Sequence, residues 1–354
     1  MKQFVIFLML LIFTKIAVAQ NINQDMYKKY AGKYGGNSGV CLFDDGKFLL
    51  FGYATAVFGS YKIEKDKLLF YPDKFELFNV FANNNKSLSN GVRINFKGFE
   101  RDGGTFIQFD HEKAQKVFND GANCFNSPFV YERTKKALGI TLFAIMEKLP
   151  WYNGKTKNVW HFNFESDYND FILVYNAPKR ENEDFIGMIV TNPKGEILKL
   201  SNYGGDTGYL KNAGRDDNAQ MQEMMEWKNQ YYQSKDVNQN AIFANKHYNI
   251  FPEPDSLNYK FDVALNEYVN VPNRDNDSYY QQNQYNDDRY LRKYVKLQPK
   301  ILENTELLKN NLIPKSIFFS VCGEGSEKSY HYNGFKKNEE EEKPMPVKVP
   351  PSKK

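Results

Sequence analysis

The sequence predicts a mainly β protein, α+β overall, with an N-terminal antiparallel barrel or sandwich and a C-terminal region of mixed β and α structure. Short apolar runs recur through residues 27–134, and turn signals such as Asp44-Asp45-Gly46 separate several of them. Closely spaced short strands of this kind favour an antiparallel barrel or sandwich. Beyond residue 150, strand patterns alternate with helical ones, which favours a second, mixed domain.

The N-terminal residues 1–19 have the three parts of a secretory signal peptide. Lys2 gives a positive start, residues 4–14 are apolar, and Ala17-Val18-Ala19 is a small-x-small cleavage site. Lys15 interrupts the apolar run before it reaches the ~20 residues that span a bilayer. We therefore expect cleavage after Ala19, an exported protein that is periplasmic or extracellular, and no transmembrane segment after cleavage.

Charge and composition limit the partners that the chain can be expected to bind. The formal net charge is +4, and removing Lys2 and Lys15 with the signal leaves +2, which is too near zero to favour nucleic acid. Aromatic residues make up 16% of the chain, which favours an aromatic-lined binding surface. The codon bias of an AT-rich genome would enrich Phe, Tyr, Asn, Lys and Ile together and explains the same composition without such a surface.

The predicted first domain, 27–134, consists of short strands. The candidates are 40–44, 47–53, 57–63, 67–71, 75–82, 91–97, 104–109 and 128–133. In the sixth of these, Ile94 and Phe96 share one face while Arg93 and Asn95 share the other. One side of the sheet is therefore expected to face a core and the other side water, and closure of the sheet into a barrel would remove its exposed edges.

Four segments between residues 31 and 70 follow a recurring pattern. They are Ala31-Gly32-Lys33-Tyr34, Leu42-Phe43-Asp44-Asp45-Gly46-Lys47-Phe48, Phe58-Gly59-Ser60-Tyr61-Lys62-Ile63 and Lys67-Leu68-Leu69-Phe70. This pattern resembles the opening of lipocalin-like domains of exported bacterial proteins, except that Tyr34 stands where Trp is common. The resemblance implies a small barrel that can enclose an apolar cavity, and it implies no substrate.

The period of the apolar residues changes after residue 134. Leu138, Leu142 and Ile145 recur at helical spacing, and Pro150 ends the run. The pattern predicts a connecting helix over 135–150, packed on the barrel or joining two domains.

A mixed α+β domain is predicted over residues 151–335. Its expected elements are strands at 158–165, 170–176, 185–191 and 196–201, helices near 216–234, 290–297 and 301–312, and a closing hairpin of 316–322 with 328–335. The tail over 336–354 combines an acidic run with a Pro-rich stretch and lacks apolar residues for a core. We expect that tail to be disordered.

The three cysteines allow one disulfide at most. Export permits disulfides, and an odd count leaves at least one thiol unpaired. Cys41 and Cys124 fall in the same predicted domain and are the preferred pair, which leaves Cys322 free.

Motifs for catalysis or metal binding are incomplete in this sequence. His111-Glu112 begins a metalloprotease motif, but Gln115 stands where the second His belongs. Cys322 lies across the predicted hairpin from His331, which would suit a nucleophile and its base, yet Cys322 also continues an apolar strand. We therefore assign no catalytic residue and expect no metal and no cofactor. Whether the protein is an enzyme is left open, although the incomplete motifs favour a protein that is not one.

The candidate ligand-binding residues are aromatic side chains close to Asn or His. They are Trp151, Tyr152, Trp160, Tyr330 and Tyr332. Exposed Trp and Tyr suit contacts with sugar or peptide, and ordinary packing is the alternative. The predicted function is that of an exported, non-catalytic binding or envelope-associated protein, whose partner is a small molecule, a glycan or an envelope protein. The alternative is a secreted or periplasmic hydrolase that acts on glycan or peptide.

Overall fold

The structure is a computed structural model that describes residues 25–88, 91–100, 104–145, 159–165, 167–212, 217–237, 240–302 and 312–335. The predicted signal peptide and the predicted C-terminal tail lie outside the described residues. The described chain is mainly β, with 43% strand and 14% helix, which confirms the predicted fold class. Among the described residues, no helix is long and apolar enough to cross a membrane.

Twenty-three strands and three α-helices follow one another along the described chain. The first sixteen strands are β1 Gly32–Gly35, β2 Gly39–Leu42, β3 Lys47–Gly52, β4 Thr55–Glu64, β5 Lys67–Pro72, β6 Phe78–Asn83, β7 Val92–Lys97, β8 Thr105–Phe109, β9 Ala114–Lys116, β10 Phe129–Arg133, β11 Gly139–Ala144, β12 Val159–Asn163, β13 Asp170–Tyr175, β14 Phe185–Asn192, β15 Gly195–Leu200 and β16 Tyr209–Leu210. The others are β17 Ala241–Ala244, β18 Ile250–Phe251, β19 Tyr259–Asp262, β20 Glu267–Asn270, β21 Tyr290–Leu297, β22 Lys300–Leu302 and β23 Leu312–Ile313. The helices are α1 over 25–30, α2 Asp217–Val237 and α3 Asp277–Gln282.

The chain divides into two compact units, each made of two stretches of sequence. Unit 1 comprises Met1–Phe75 and Pro178–Asp236, and unit 2 comprises Glu76–Ala177 and Val237–Lys354. The predicted boundaries do not match this division, because the predicted first domain, 27–134, is shared between both units. Pairing between distant strands causes the difference: β14 pairs with β5 in unit 1, and β13 pairs with β7 in unit 2.

Unit 1 is built on an antiparallel, nearly closed barrel-like sheet of eight strands. The strand order is β1-β2-β3-β4-β5-β14-β15-β16. A bridge between Tyr34 and Lys211 connects the two ends of the sheet, and Asn212 N donates to Lys33 O at 2.8 Å beside it. Near-closure of this kind leaves little unpaired strand edge.

Aromatic and aliphatic side chains fill the inner face of this sheet. Phe70 stacks on Phe185 with ring centroids 4.5 Å apart, and Phe48 meets Phe70 edge-on at 5.0 Å. Tyr61 is buried beside them and donates from Oη to Phe43 O at 2.9 Å. The barrel interior is therefore a packed core, in which paired rings contribute about 0.5–1.5 kcal/mol each beyond burial.

The helix α2 covers the outer face of β2, β3 and β4. Alternation along these strands presents Cys41 and Leu49 to the helix, whose Met224 is buried against them. Tyr231 of α2 stacks on Phe58 at 4.3 Å. The sequence-predicted helix near 216–234 is confirmed, and its Met stripe is the face that packs on the sheet.

Unit 2 contains two sheets that share one hydrophobic core. The larger sheet has nine strands, with β10-β7-β13-β6-β21-β17-β18 in order and the β19–β20 hairpin attached through β21. The smaller sheet has six strands in the order β22-β12-β11-β8-β9-β23. Phe96 and Phe171 from the larger sheet and Leu142 and Phe162 from the smaller belong to the same buried cluster.

The predicted connecting helix over 135–150 is wrong. Residues Gly139–Ala144 form β11, which lies between β8 and β12 and is buried along its whole length. A strand that is buried on both faces has a continuous apolar run, and its period cannot be distinguished from that of a buried helix. Residues 146–150 lie outside the described part of the chain.

Two further predictions near the C-terminus fail. Residues Tyr290–Leu297 form strand β21 and not a helix. The predicted hairpin of 316–322 with 328–335 contains no described strand, although Tyr330 N donates to Phe319 O at 2.7 Å and joins its two arms. The predicted helix over 301–312 falls mostly on residues outside the described ranges.

The predicted pairing of Cys41 with Cys124 is also wrong. Cys124 forms a disulfide with Cys322, with 5.2 Å between their Cα atoms, and Cys41 is a buried free thiol. Cys41 belongs to unit 1, where its Sγ lies 3.5 Å from the sulfur of Met221 on α2. Cys124 and Cys322 both belong to unit 2, and the chain folds so that the two lie side by side although 198 positions separate them.

Candidate binding site

The nine-stranded sheet of unit 2 has one apolar face and a second face, called the polar face below, on which polar side chains of β7 and β13 lie beside a second buried cluster that includes Phe81 and Ile172. Along β7, Ile94 and Phe96 point into the shared core, and Arg93, Asn95 and Lys97 lie on the opposite side. The alternation predicted from the sequence is thereby confirmed. The face that the sequence assigned to water is largely covered, because Asn95 is only 1% exposed.

Asp170 is the first residue of β13 and lies on this polar face. It is 0% exposed, and in the sheet it stands between Arg93 on β7 and Asn83 on β6. Its carboxylate accepts hydrogen bonds from Tyr248 Oη at 2.7 Å, Tyr294 Oη at 3.1 Å and Asn85 Nδ2 at 2.6 Å. Three donors therefore replace the water that burial removes from this carboxylate, which is how a buried charge is retained at tolerable cost.

The two tyrosines are fixed as donors to Asp170. Burial, together with the charge of Asp170, raises the pKa values of Tyr248 and Tyr294 well above the ordinary value. Both hydroxyls consequently keep their protons at neutral pH.

Two arginines, the half-buried Arg93 and the buried Arg292, balance the negative charge of this region. The Arg93 guanidinium lies over the ring of Tyr248 at 5.3 Å, and Arg292 forms a buried ion pair with Glu267. Burial opposes the charge of Arg93, but its pKa lies above the usual value, and the carboxylates of Asp170 and Glu132 contribute to this rise. Both guanidiniums therefore remain charged.

His247 and Tyr332 close the polar face from the loop after β17 and from the C-terminal segment. His247 Nδ1 lies 2.9 Å from Tyr332 Oη, and Arg93 Nη2 lies 3.4 Å from the same oxygen. Burial, Lys246 and Arg93 lower the pKa of His247 to about 4, so its ring is neutral at pH 7. Its Nε2 is buried and has no hydrogen-bond partner in the part of the chain that the structure describes.

A cleft lies at each end of strand β7, on the edge that it shares with β10. The first cleft has a volume of about 190 Å³ and is lined by Leu88, Val92, Arg93, Glu132, Arg133 and Thr134. The second has a volume of about 140 Å³ and is lined by Asn95, Phe96, Lys97, Gly98, Glu100, Ser127, Pro128, Phe129, Tyr248 and Tyr285. The polar residues of β7 thus connect the buried Asp170 cluster with two openings to solvent.

The five predicted ligand-binding residues do not come together in one place. Trp160 is a core residue of β12, 8% exposed, and its ring meets Phe78 edge-on at 6.3 Å. Tyr330 holds strand β10, because its Oη accepts from Val130 N at 2.8 Å and donates to Pro128 O at 3.1 Å. Tyr332 alone of the described three belongs to the polar face.

Trp151 and Tyr152, the other two predicted ligand-binding residues, lie outside the described residues.

The hypothesis of a catalytic Cys322 is not supported by its surroundings. Its sulfur is bonded to Cys124 and has no free thiolate with which to attack a substrate. Within the described ranges, no cluster of three or more His, Cys, Asp or Glu residues is placed to hold a metal ion. The residues that do converge, around Asp170 and β7, suit hydrogen bonding and ion pairing.

Sequence reasoning missed most of this site. Asp170 and Tyr248 stand alone in their segments, and no spacing rule connects residues that meet through strand pairing. The one local signal was the alternation of Arg93, Asn95 and Lys97 along β7, three polar residues on one face of an otherwise apolar strand. Searches of protein-family models, curated proteins and solved structures found no match to this chain.

Proposed function

We propose that the chain is an exported, non-catalytic binding protein that takes a small polar ligand in the clefts along β7 of unit 2. One observation carries the proposal: among the described residues, the buried Oδ1 of Asn95 has no hydrogen-bond partner, and Asn95 lines the second cleft. An unpaired buried acceptor costs about 1–3 kcal/mol. A ligand that donates to this oxygen would recover that cost on binding.

The disulfide supports the exported part of the proposal. Cys124 and Cys322 are oxidised together, and such bonds persist in oxidising compartments and are rare in the cytosol of mesophiles. The sequence of residues 1–19 fits a cleaved signal peptide. N-terminal sequencing of protein recovered from the periplasm or medium should begin at Gln20, and recovery of an uncut chain from the cytosol alone would contradict export.

In this proposal, unit 1 does not bind the ligand and has a structural role. Its barrel-like sheet is consistent with the lipocalin-like resemblance of residues 31–70, yet rings such as Phe48, Phe70 and Phe185 occupy the interior. A packed interior favours a structural or envelope-associated role for this unit over binding inside the barrel.

A fragment screen tests the binding function. Ligand-observed NMR on the mature protein with a chemically diverse library should detect polar fragments that bind in the millimolar range. The same hits should weaken in a variant that carries both Arg93→Met and Lys97→Met. Absence of any hit, or hits of equal strength in that variant and the wild type, would refute the assignment.

A further inference from the structure

The second cleft is lined by two side chains of opposite charge that are close together in the sequence. Lys97 ends β7, and Glu100 follows three positions later; both line the cleft. Lys97 donates a long hydrogen bond of 3.4 Å to Tyr248 O, and no salt bridge of Lys97 is present within the described ranges. Its ammonium therefore keeps donors available for a bound anion.

The acceptor in this cleft has a fixed orientation. Asn95 Nδ2 donates to Phe129 O at 3.1 Å, and a carbonyl oxygen can only accept, so the amide of Asn95 cannot be flipped without loss of this bond. The oxygen Oδ1 is consequently the atom left without a partner. It requires a donor, and neither Lys97 nor any other described side chain supplies one.

The remaining walls are apolar and define the size of what fits. Pro128 and Tyr285 line the cleft with aliphatic and ring surface. The volume of about 140 Å³ is close to that of an engineered cavity that admits benzene, a molecule of six heavy atoms. A ligand of roughly six to nine heavy atoms with a small apolar group is therefore accommodated.

We infer that this cleft binds a free α-amino acid with a small apolar side chain. The α-carboxylate pairs with Lys97, and the α-ammonium donates to Asn95 Oδ1 and faces Glu100. The side chain packs on Pro128 and Tyr285. A zwitterion satisfies both charges and the orphan acceptor at once, whereas a simple carboxylate would leave Asn95 unpaired and place its charge beside Glu100.

This inference rests on the proposed binding function, and calorimetric titration with L-valine tests it. We expect saturable binding of L-valine, and binding weakened about tenfold or more for isovalerate, which lacks the amine, and for L-valinamide, which lacks the carboxylate. Lys97→Met and Glu100→Gln should each weaken L-valine binding by a similar factor. Lys260→Met and Glu253→Gln, two exposed positions outside the cleft, serve as matched controls and should bind as the wild type does.

Three results would overturn the inference. They are no binding of L-valine, equal binding of isovalerate and L-valine, and unchanged binding in Lys97→Met and Glu100→Gln that are shown to be folded by circular dichroism. If L-valine fails while other fragments bind and depend on Arg93 and Lys97, the amino-acid assignment is wrong and the binding function stands. If no fragment of the library binds either, both the amino-acid assignment and the proposed binding function are wrong.

Discussion

Tyr248 donates a 2.7 Å hydrogen bond to Asp170, and both residues are almost completely removed from solvent. The two are 78 positions apart in the sequence. The bond connects the loop after β17 to the start of β13, so this part of the polar face of unit 2 is an internal network and not a solvated surface. This network supports β7, the strand whose ends form the two clefts.

Asp170→Asn should destabilise unit 2 by about 3 kcal/mol. The substitution removes a buried negative charge, and the new amide nitrogen is a donor placed among the groups that now donate to the carboxylate. Urea unfolding followed by circular dichroism measures the change. Tyr294→Phe is the milder comparison and should cost about 1–2 kcal/mol, since it removes one hydrogen bond. A cost below about 0.5 kcal/mol for Asp170→Asn would mean that the network contributes little.

His247 should make the stability fall as the pH is lowered. The unfolded state takes up a proton near the ordinary pKa of 6.5, and the folded state does so only near 4. The contribution is therefore complete above pH 6.5 and is lost between pH 6.5 and 4. The shift corresponds to about 3 kcal/mol at most.

His247→Phe isolates this contribution, because the ring shape is retained and the titrating group is removed. Urea unfolding of wild type and variant over pH 4–7 should show the steeper loss in the wild type. Parallel stability curves for the two proteins would contradict the assignment of the titration to His247.

The Cys124–Cys322 disulfide should contribute strongly to the stability of unit 2. It closes a loop of 198 positions, for which the chain-entropy estimate is about 5 kcal/mol. Replacing both cysteines by Ser should lower the urea midpoint accordingly. Cys41→Ser is the control, because Cys41 is a free, buried thiol in unit 1. A reducing agent should lower the urea midpoint of this variant by the same amount as that of the wild type, because both retain the Cys124–Cys322 disulfide.

Gly59 should be intolerant of any side chain. An added Cβ would lie 2.4 Å from Tyr71 O and 2.6 Å from a ring carbon of Phe48, so Gly59→Ala should destabilise unit 1 by about 1–3 kcal/mol. Gly52→Ala is the matched control, because the nearest atom there is 3.7 Å away on Thr55. Equal unfolding midpoints for these two variants would argue against the close approach of β4 to β5.

The strands were predictable where the local sequence determines the backbone conformation. Alternation along β7 and the turn at Asn192–Gly195, which pairs β14 with β15 across two residues, identified both features without a structure. The same signals failed for β11 and β21, where burial on both faces, or chance spacing of Tyr290 and Tyr294, imitates a helix.

The units and the site were not predictable in the same way. Which strand pairs with which is decided by tertiary packing, as in the parallel pairing of β13 with β7. The environment of Asp170 depends on that pairing, because its neighbours Arg93 and Tyr248 belong to distant segments of the sequence. The disulfide follows the same rule, since Cys322 lies beside Cys124 because residues 317–320 bond to residues 116–123.

Chemical-shift mapping of bound fragments tests the central claim, that unit 2 binds its ligand along β7, most directly. With isotope-labelled mature protein and the fragments found by screening, the account predicts shifts at the backbone amides of Asn95, Lys97, Phe129 and Tyr285, at those of Arg93 and Arg133, or at both groups. The amides of β2–β5 should stay unchanged. Shifts confined to the barrel of unit 1, with β7 and β10 unaffected, would contradict it.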